Sequence, residues 1–400
     1  MGKVATENTL REGVEVLKVI AKNNLAQFQN YKDIRNIIRA GLAKSFFDIG
    51  DQLVTAYAIE NGDTYQAPWD VKHIDDTGLY FGMHYALPDD MQFDAPEAIY
   101  YAPDGLEAGT YNITIGSNFG SGWVSGNSFQ FTFANPVPAG AQIFINFGKD
   151  ENLNTANGRT VTVYDGVGTT NVVETTTTSA GSDGTNLGTI GAVNANRTNG
   201  NLNAISRTVY GDGRYSNSAI RQWLNSEEPA NMWWHPTNNW DRPPRSADLA
   251  RAGFLSRLPK EFVDIIDYTD VVVALNNQEG FETDRETVRD RIFIPSLQNI
   301  YITTQILDAE GPDWDYYKIL AKDSGLPGKF KRSTAYEVLK HYNLASFGSI
   351  LSPAYVWLRS CHRDVDAIAW HINSVGSVNN HIYAYDRLSI CPACKIKTSQ

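Results

Sequence analysis

The chain has 400 residues, 42% of them hydrophobic and 12% aromatic, enough for roughly two to three domains with ordinary cores. Only 20% are charged, which excludes an extended disordered chain. The formal charge of −11, with Lys and Arg scattered, argues against a nucleic-acid partner, and no apolar run reaches membrane-spanning length.

The opening MGKVATENTL lacks the basic and apolar regions of a secretory signal, so synthesis in a cytosol without standard export is expected. Residues 1–45 carry two amphipathic patterns. Val14, Leu17, Val19, Ile20 and Leu25 form one, and Ile34, Ile37, Ile38 and Leu42 the other. Two short helices cannot make a core alone, so this segment is expected to pack on the body, a second subunit or an anchor.

From Phe46 to Ala58 the pattern becomes strand-like, and Trp69, Val71 and Ile74 suggest a second strand. Residues 94–195 read as an all-β module. Alternation is plain in Tyr111–Ile115, Phe129–Phe133, Gln142–Phe147, Val161–Tyr164 and Val172–Thr175, with Gly, Asn and Pro between the runs. A polar Gly/Asn/Thr-rich stretch follows through residue 201.

Residues 202–400 read as α+β. Helices are expected over Ser216–Leu224 and Leu258–Ile266, and strands over Val271–Leu275 and Arg291–Ile294. Seven of the nine tryptophans lie between Trp223 and Trp370, which implies heavily aromatic packing with irregular loops.

Near the carboxyl end, Trp370, Ile372 and Val378 alternate with His371, Asn373, Val375 and Ser377. A half-buried strand would turn the first set inward and the second outward. Asn380, His381, Tyr383, Tyr385 and Asp386 follow, in a composition suited to recognition: Tyr gives contact area at low entropic cost, and Asn adaptable hydrogen bonds. His362, Asp364 and Asp366 could extend that face; the plainer reading is a set of ordinary loop and edge-strand residues.

Four segments in order carry a resemblance: Ser218–Asn225 (SAIRQWLN), Arg291–Leu297 (RIFIPSL), Val356–Cys361 (VWLRSC), and Ser374–Val378 with Cys391–Ile396 (CPACKI). Together they resemble C-type-lectin-like domains of gut phage and bacterial proteins, similar to variable proteins of diversity-generating retroelements and to phage major tropism determinants. The resemblance implies a C-type-lectin-like domain over 46–93 and 202–400, a β-sandwich inserted at 94–201, and an N-terminal helical segment at 1–45. It further implies a virion protein binding a host surface protein or glycan, contacting other virion proteins, and trimeric by analogy. A capsid decoration or head-fibre role is the first alternative. An enzyme related to formylglycine-generating enzymes, which share a related fold, is the second, although their cysteine-bearing site has no match here.

Chemical motifs point elsewhere only weakly. The Glu-Pro-Asn, Gln-Pro-Asp and Trp-Asn-Asp motifs of calcium-dependent lectins do not occur, nor do HExxH, a P-loop or a Gly-x-Ser-x-Gly elbow. Cys391-Pro392-Ala393-Cys394 is a lone CxxC with only Cys361-His362 as further ligands, and reads better as small buried side chains. The arginines of Arg289-Asp290-Arg291 and Asp241–Arg245 read as ties between loops. No catalytic residue, resident metal or cofactor is assigned.

Overall fold

A computed structural model describes residues 31–58, 62, 64–87, 90–114, 128–146, 158–180, 207–276, 285–302, 310–323, 355–363, 365–373 and 378–398. The amphipathic pattern at Val14–Leu25 and the polar stretch ending at residue 201 lie outside them. The described chain is mostly antiparallel strand with few helices, in line with an α+β class.

It opens with helices α1 (Tyr31–Arg39) and α2 (Ala43–Phe46). Ile34 and Ile38, one turn apart, put α1 on the main core, where Tyr31 meets Phe262 at 5.4 Å between rings. Strands β1 (Gln52–Ala58), β2 (Thr64–Asp75), β3 (Gly78–Met83) and β4 (Met91–Gln92) follow. The first strand starts later than its sequence pattern: Phe46 ends a helix, and Gly50, at φ 90°, turns the chain before Gln52.

The chain then builds β5 (Tyr100–Ala102), β6 (Gly109–Thr114), β7 (Ser128–Phe133), β8 (Ala141–Asn146), β9 (Thr160–Tyr164), β10 (Val172–Thr177) and β11 (Ser179–Ala180). These pair in two sheets, β10-β9-β8-β5 and β11-β7-β6. Alternating inward residues, among them Ile143, Ile145, Val161 and Val163, fill a second core.

Past residue 206 come α3 (Arg207–Tyr210), α4 (Ala219–Leu224), α5 (Ser246–Leu249) and α6 (Lys260–Val263). Ser218 caps α4 by accepting the Arg221 amide at 3.2 Å, and Ile220, Trp223 and Leu224 enter the core. The helical pattern over Leu258–Ile266 yields only one turn after Pro259, and Ile265 and Ile266 leave it into the core. Then follow β12 (Thr269–Ala274), β13 (Arg285–Asp290), β14 (Ile292–Phe293), α7 (Asp315–Asp323), β15 (Val356–Cys361), β16 (Ala369–Ile372), β17 (Val378–Asn379), β18 (Arg387–Leu388) and β19 (Ala393–Lys397).

The main sheet runs β1-β2-β3-β19-β14, so early and final strands are hydrogen-bonded neighbours. Over this frame lie β15-β16-β17 and the pair β18-β4. Four fully buried tryptophans mark the core, and three have partners for their indole N–H. Trp69 donates to the Thr55 hydroxyl, Trp223 to Ala252 O and Trp357 to Met91 O. Buried Arg359 ties the loops beneath β15, donating to the carbonyls of Val272, Ile294 and Glu310 and to Asn299 Oδ1. Among the described residues, no helix is long and apolar enough to cross a membrane.

Candidate recognition surface

The surface is built where α3, β16 and the turn at 380–386 meet. Its backbone is pinned from three sides. Ala384 donates to Ala367 O at 2.8 Å and accepts from the Asp94 amide at 3.0 Å; Tyr385 donates to Tyr210 O at 2.7 Å. The Tyr385 carbonyl accepts from Gln92 Nε2 at 2.9 Å and Arg245 Nη2 at 3.3 Å. Two glycines allow the close approach beneath. A Cβ on Gly213 would lie 2.5 Å from Ile368 O, and one on Gly211, at φ 81°, would lie 2.8 Å from Asp94 O.

Three aromatic rings line one side. Tyr210 stacks on Tyr383 with centroids 3.7 Å apart and planes 11° apart; Tyr385 stacks at 5.7 Å from Tyr210. Tyr383 and Tyr385 are half-buried against the core of the β5–β11 module. The other side is a histidine cluster. His371 has rings of Tyr355, Trp357 and His381 at 5.8, 6.2 and 5.6 Å. His381 and Tyr355 are exposed, while Trp357 is buried.

The strict inward-outward alternation expected of this strand does not hold. Trp370 and Ile372 are buried, and Val378 is half-buried against the core. His371, expected outward, has 0% exposure, because every residue of β16 is covered on both faces. Burial, with His381 next to it, pushes its imidazole down to about 4, so the ring is neutral near pH 7. Asp366 is also fully buried, facing Arg207 Nε at 3.8 Å while Glu97 faces the same nitrogen at 3.2 Å. Neither His371 nor Asp366 offers its side chain to solvent. His362 is half-buried with its ring stacked on Trp370 at 5.9 Å. Asn373, Asn380, Tyr383, Tyr385 and Asp386 are half-buried, and His381 is exposed. Asp364, Val375 and Ser377 lie outside the described residues.

Below the surface is a buried acidic layer. Asp212 accepts from the Arg214 amide and from Asn217 Nδ2. Burial, reinforced by Asp241, Asp212 and Glu97, holds the Asp94 carboxyl well above the usual range. The three cysteines are free and buried. Burial pushes the Cys391 thiol up to about 12 and raises Cys361 and Cys394 as well, so none is a ready thiolate. Cys391 instead donates to Met83 O at 3.2 Å. Among the described residues, no three His, Cys, Asp or Glu side chains group to hold a metal.

Several contributors escaped sequence reasoning. Tyr210, Tyr355, Gln92, Asp94 and Arg245 come from separate places in the chain, and no local pattern marks them. Tyr210 sits in a four-residue helix whose every residue is buried.

The arrangement defines a β-rich domain whose antiparallel sheets support an irregular surface segment held through its main chain. Residues 193–398 match the domain family DUF6273, a domain of unknown function, and the chain belongs to that family. The matched stretch holds this surface except Gln92 and Asp94, and stops short of β1–β4, which complete the sheets. No curated protein and no solved structure matches the chain.

Proposed function

We propose that this is a non-catalytic binding protein with a C-type-lectin-like domain, carried on a phage virion, whose 380–386 turn meets a host surface protein or glycan. The observation that carries the reading is how that turn is held. Its path depends on backbone bonds from Ala384 and Tyr385 to Ala367, Asp94 and Tyr210, not on the identity of its outward side chains. The side chains of Asn380 and His381 take no part in those bonds and can differ without loss of the loop, which is what a recognition surface needs. The adjacency of β3 and β19 is in keeping with the lectin-like reading, since a sheet that pairs an early strand with the final one leaves the connecting loops available for binding. The three protonated, buried thiols argue against cysteine chemistry. Homotrimers on one particle would add avidity to weak single sites.

The test is binding of fluorescent full-length protein to a panel of gut bacterial cells. Asn380, His381, Tyr385 and Asp386 are changed together to Ala. Retained circular dichroism with binding weakened at least about tenfold supports the reading. Undiminished binding by a folded variant rejects the surface. Related sequences give a second check: differences should gather at 380 and 381 while position 384 stays small, because Ala384 has 0% exposure.

A further inference from the structure

The turn at 380–386 covers a polar group that the fold leaves unsatisfied. His371 is fully buried, and neither of its ring nitrogens has a hydrogen-bond partner among the described residues. A neutral imidazole carries one donor and one acceptor, and native folds rarely leave such atoms unmatched. One of its ring neighbours is a second imidazole: the His381 ring stands 5.6 Å away, perpendicular to it, and His381 is exposed to solvent. Two imidazoles sharing one tetrahedral ion, at about 2.0–2.1 Å from metal to nitrogen, have centroids about 5 Å apart. The observed spacing is within a small side-chain adjustment of that figure.

We propose that His371 and His381 form a two-imidazole site for a borderline divalent transition ion of the zinc, nickel or cobalt type. Two protein ligands leave two coordination positions, open on the His381 side to water or to donor atoms of a bound molecule. The site selects by chemistry. Imidazole suits these ions, whereas calcium and magnesium require several oxygen ligands. The remaining walls are the aromatic rings of Tyr355 and Trp357, which supply no carboxylate. The inference does not rest on the recognition reading, because the ion is measured on the isolated chain.

The experiment uses untagged, chelator-stripped full-length protein, titrated with zinc, nickel and cobalt chlorides by calorimetry and thermal shift. One ion per chain is expected, with nickel binding more tightly than cobalt and no response to magnesium or calcium. His381→Ala, an exposed change that keeps the fold, should weaken binding about a hundredfold or more, beyond the usual loss for an outer-sphere partner. His371→Phe fills the same volume with an apolar ring and should abolish the response while the protein stays folded. A wild type with no saturable response overturns the site, and so does a response that survives undiminished in both variants.

Discussion

Lys72 shows what a single side chain in this core requires. It is buried with Asp70, 2.7 Å from Nζ to Oδ2, and its ammonium lies 3.6 Å over the Tyr316 ring. Burial alone would raise the Asp70 carboxyl, but the Lys72 ammonium and the hydrogen bond to His84 overcome it and hold the group down to about 2. A depressed folded value stabilises above the unfolded carboxylate value, and that contribution is lost as pH falls through the folded one. The thermal midpoint should therefore drop between about pH 4 and pH 2, and Asp70→Asn should flatten that segment of the profile. Lys72→Met leaves the carboxylate without its cation and should cost about 3–5 kcal/mol in urea unfolding at pH 7. Tyr301 poses the opposite case. It stands at φ 67° where a turn closes, with Ile302 donating to Leu297 O and Tyr301 to Gln298 O, the bonds that glycine normally completes. Tyr301→Gly should raise stability by about 0.5–1 kcal/mol in the same assay.

At the scale of elements, local pattern succeeded where one face decides the fold and failed where strand pairing alone decides it. β8 and β9 alternate because one face meets the second core, and both were legible from Gln142–Phe147 and Val161–Tyr164. β13 was invisible: Arg285-Glu286-Thr287-Val288-Arg289-Asp290 has one apolar residue and is a strand because β12 pairs with it throughout. Arg214 binds Glu286 and Arg221 binds Asp290, so the charged side chains of β13 are tied to the segment around α4. The surface turn was legible in composition but not in placement, since its supports come from Gln92, Asp94, Tyr210 and Ala367. Gly213 is the tightest of these joints, donating to Asp366 O at 2.6 Å with Ile368 O where a side chain would go. Gly213→Ala should cost about 1–3 kcal/mol by overpacking and reduce hydrogen-exchange protection of the Ala384 and Tyr385 amides first.

The whole molecule is a frame interrupted by a module. Glu97 donates its amide to Arg207 O at 3.0 Å, so the chain leaves and re-enters the frame at adjacent points. Strands β5–β11 pair only with one another among the described residues. The two parts still share contacts. Arg242 of the frame lies 4.1 Å from the Tyr164 ring centroid and 4.7 Å from that of Phe144, while Gln142 donates to the Asp241 carbonyl. Tyr210 and Ala367 belong to the module's core, and Tyr383 packs against it. Replacing residues 98–206 with a short Gly/Ser linker should leave a cooperatively folding frame of lower melting temperature, read by calorimetry. Its surface should then bind more of a hydrophobic dye, because the tyrosine stack loses its apolar backing.

Sequence by itself determined the class of the elements and which residues are apolar enough to be covered: the alternating β strands, the helix expected over Ser216–Leu224 and the tryptophan-rich core all follow from local periodicity and hydrophobicity. It also marked the polar, aromatic character of 380–386. Tertiary structure alone decided which faces are covered. His371 has the sequence signature of an outward residue, yet Tyr355, Trp357 and the turn bearing His381 close over it. The reason is physical: periodicity records the faces of one strand, whereas burial depends on what distant chain packs on each face, and that is settled only when all the parts are assembled.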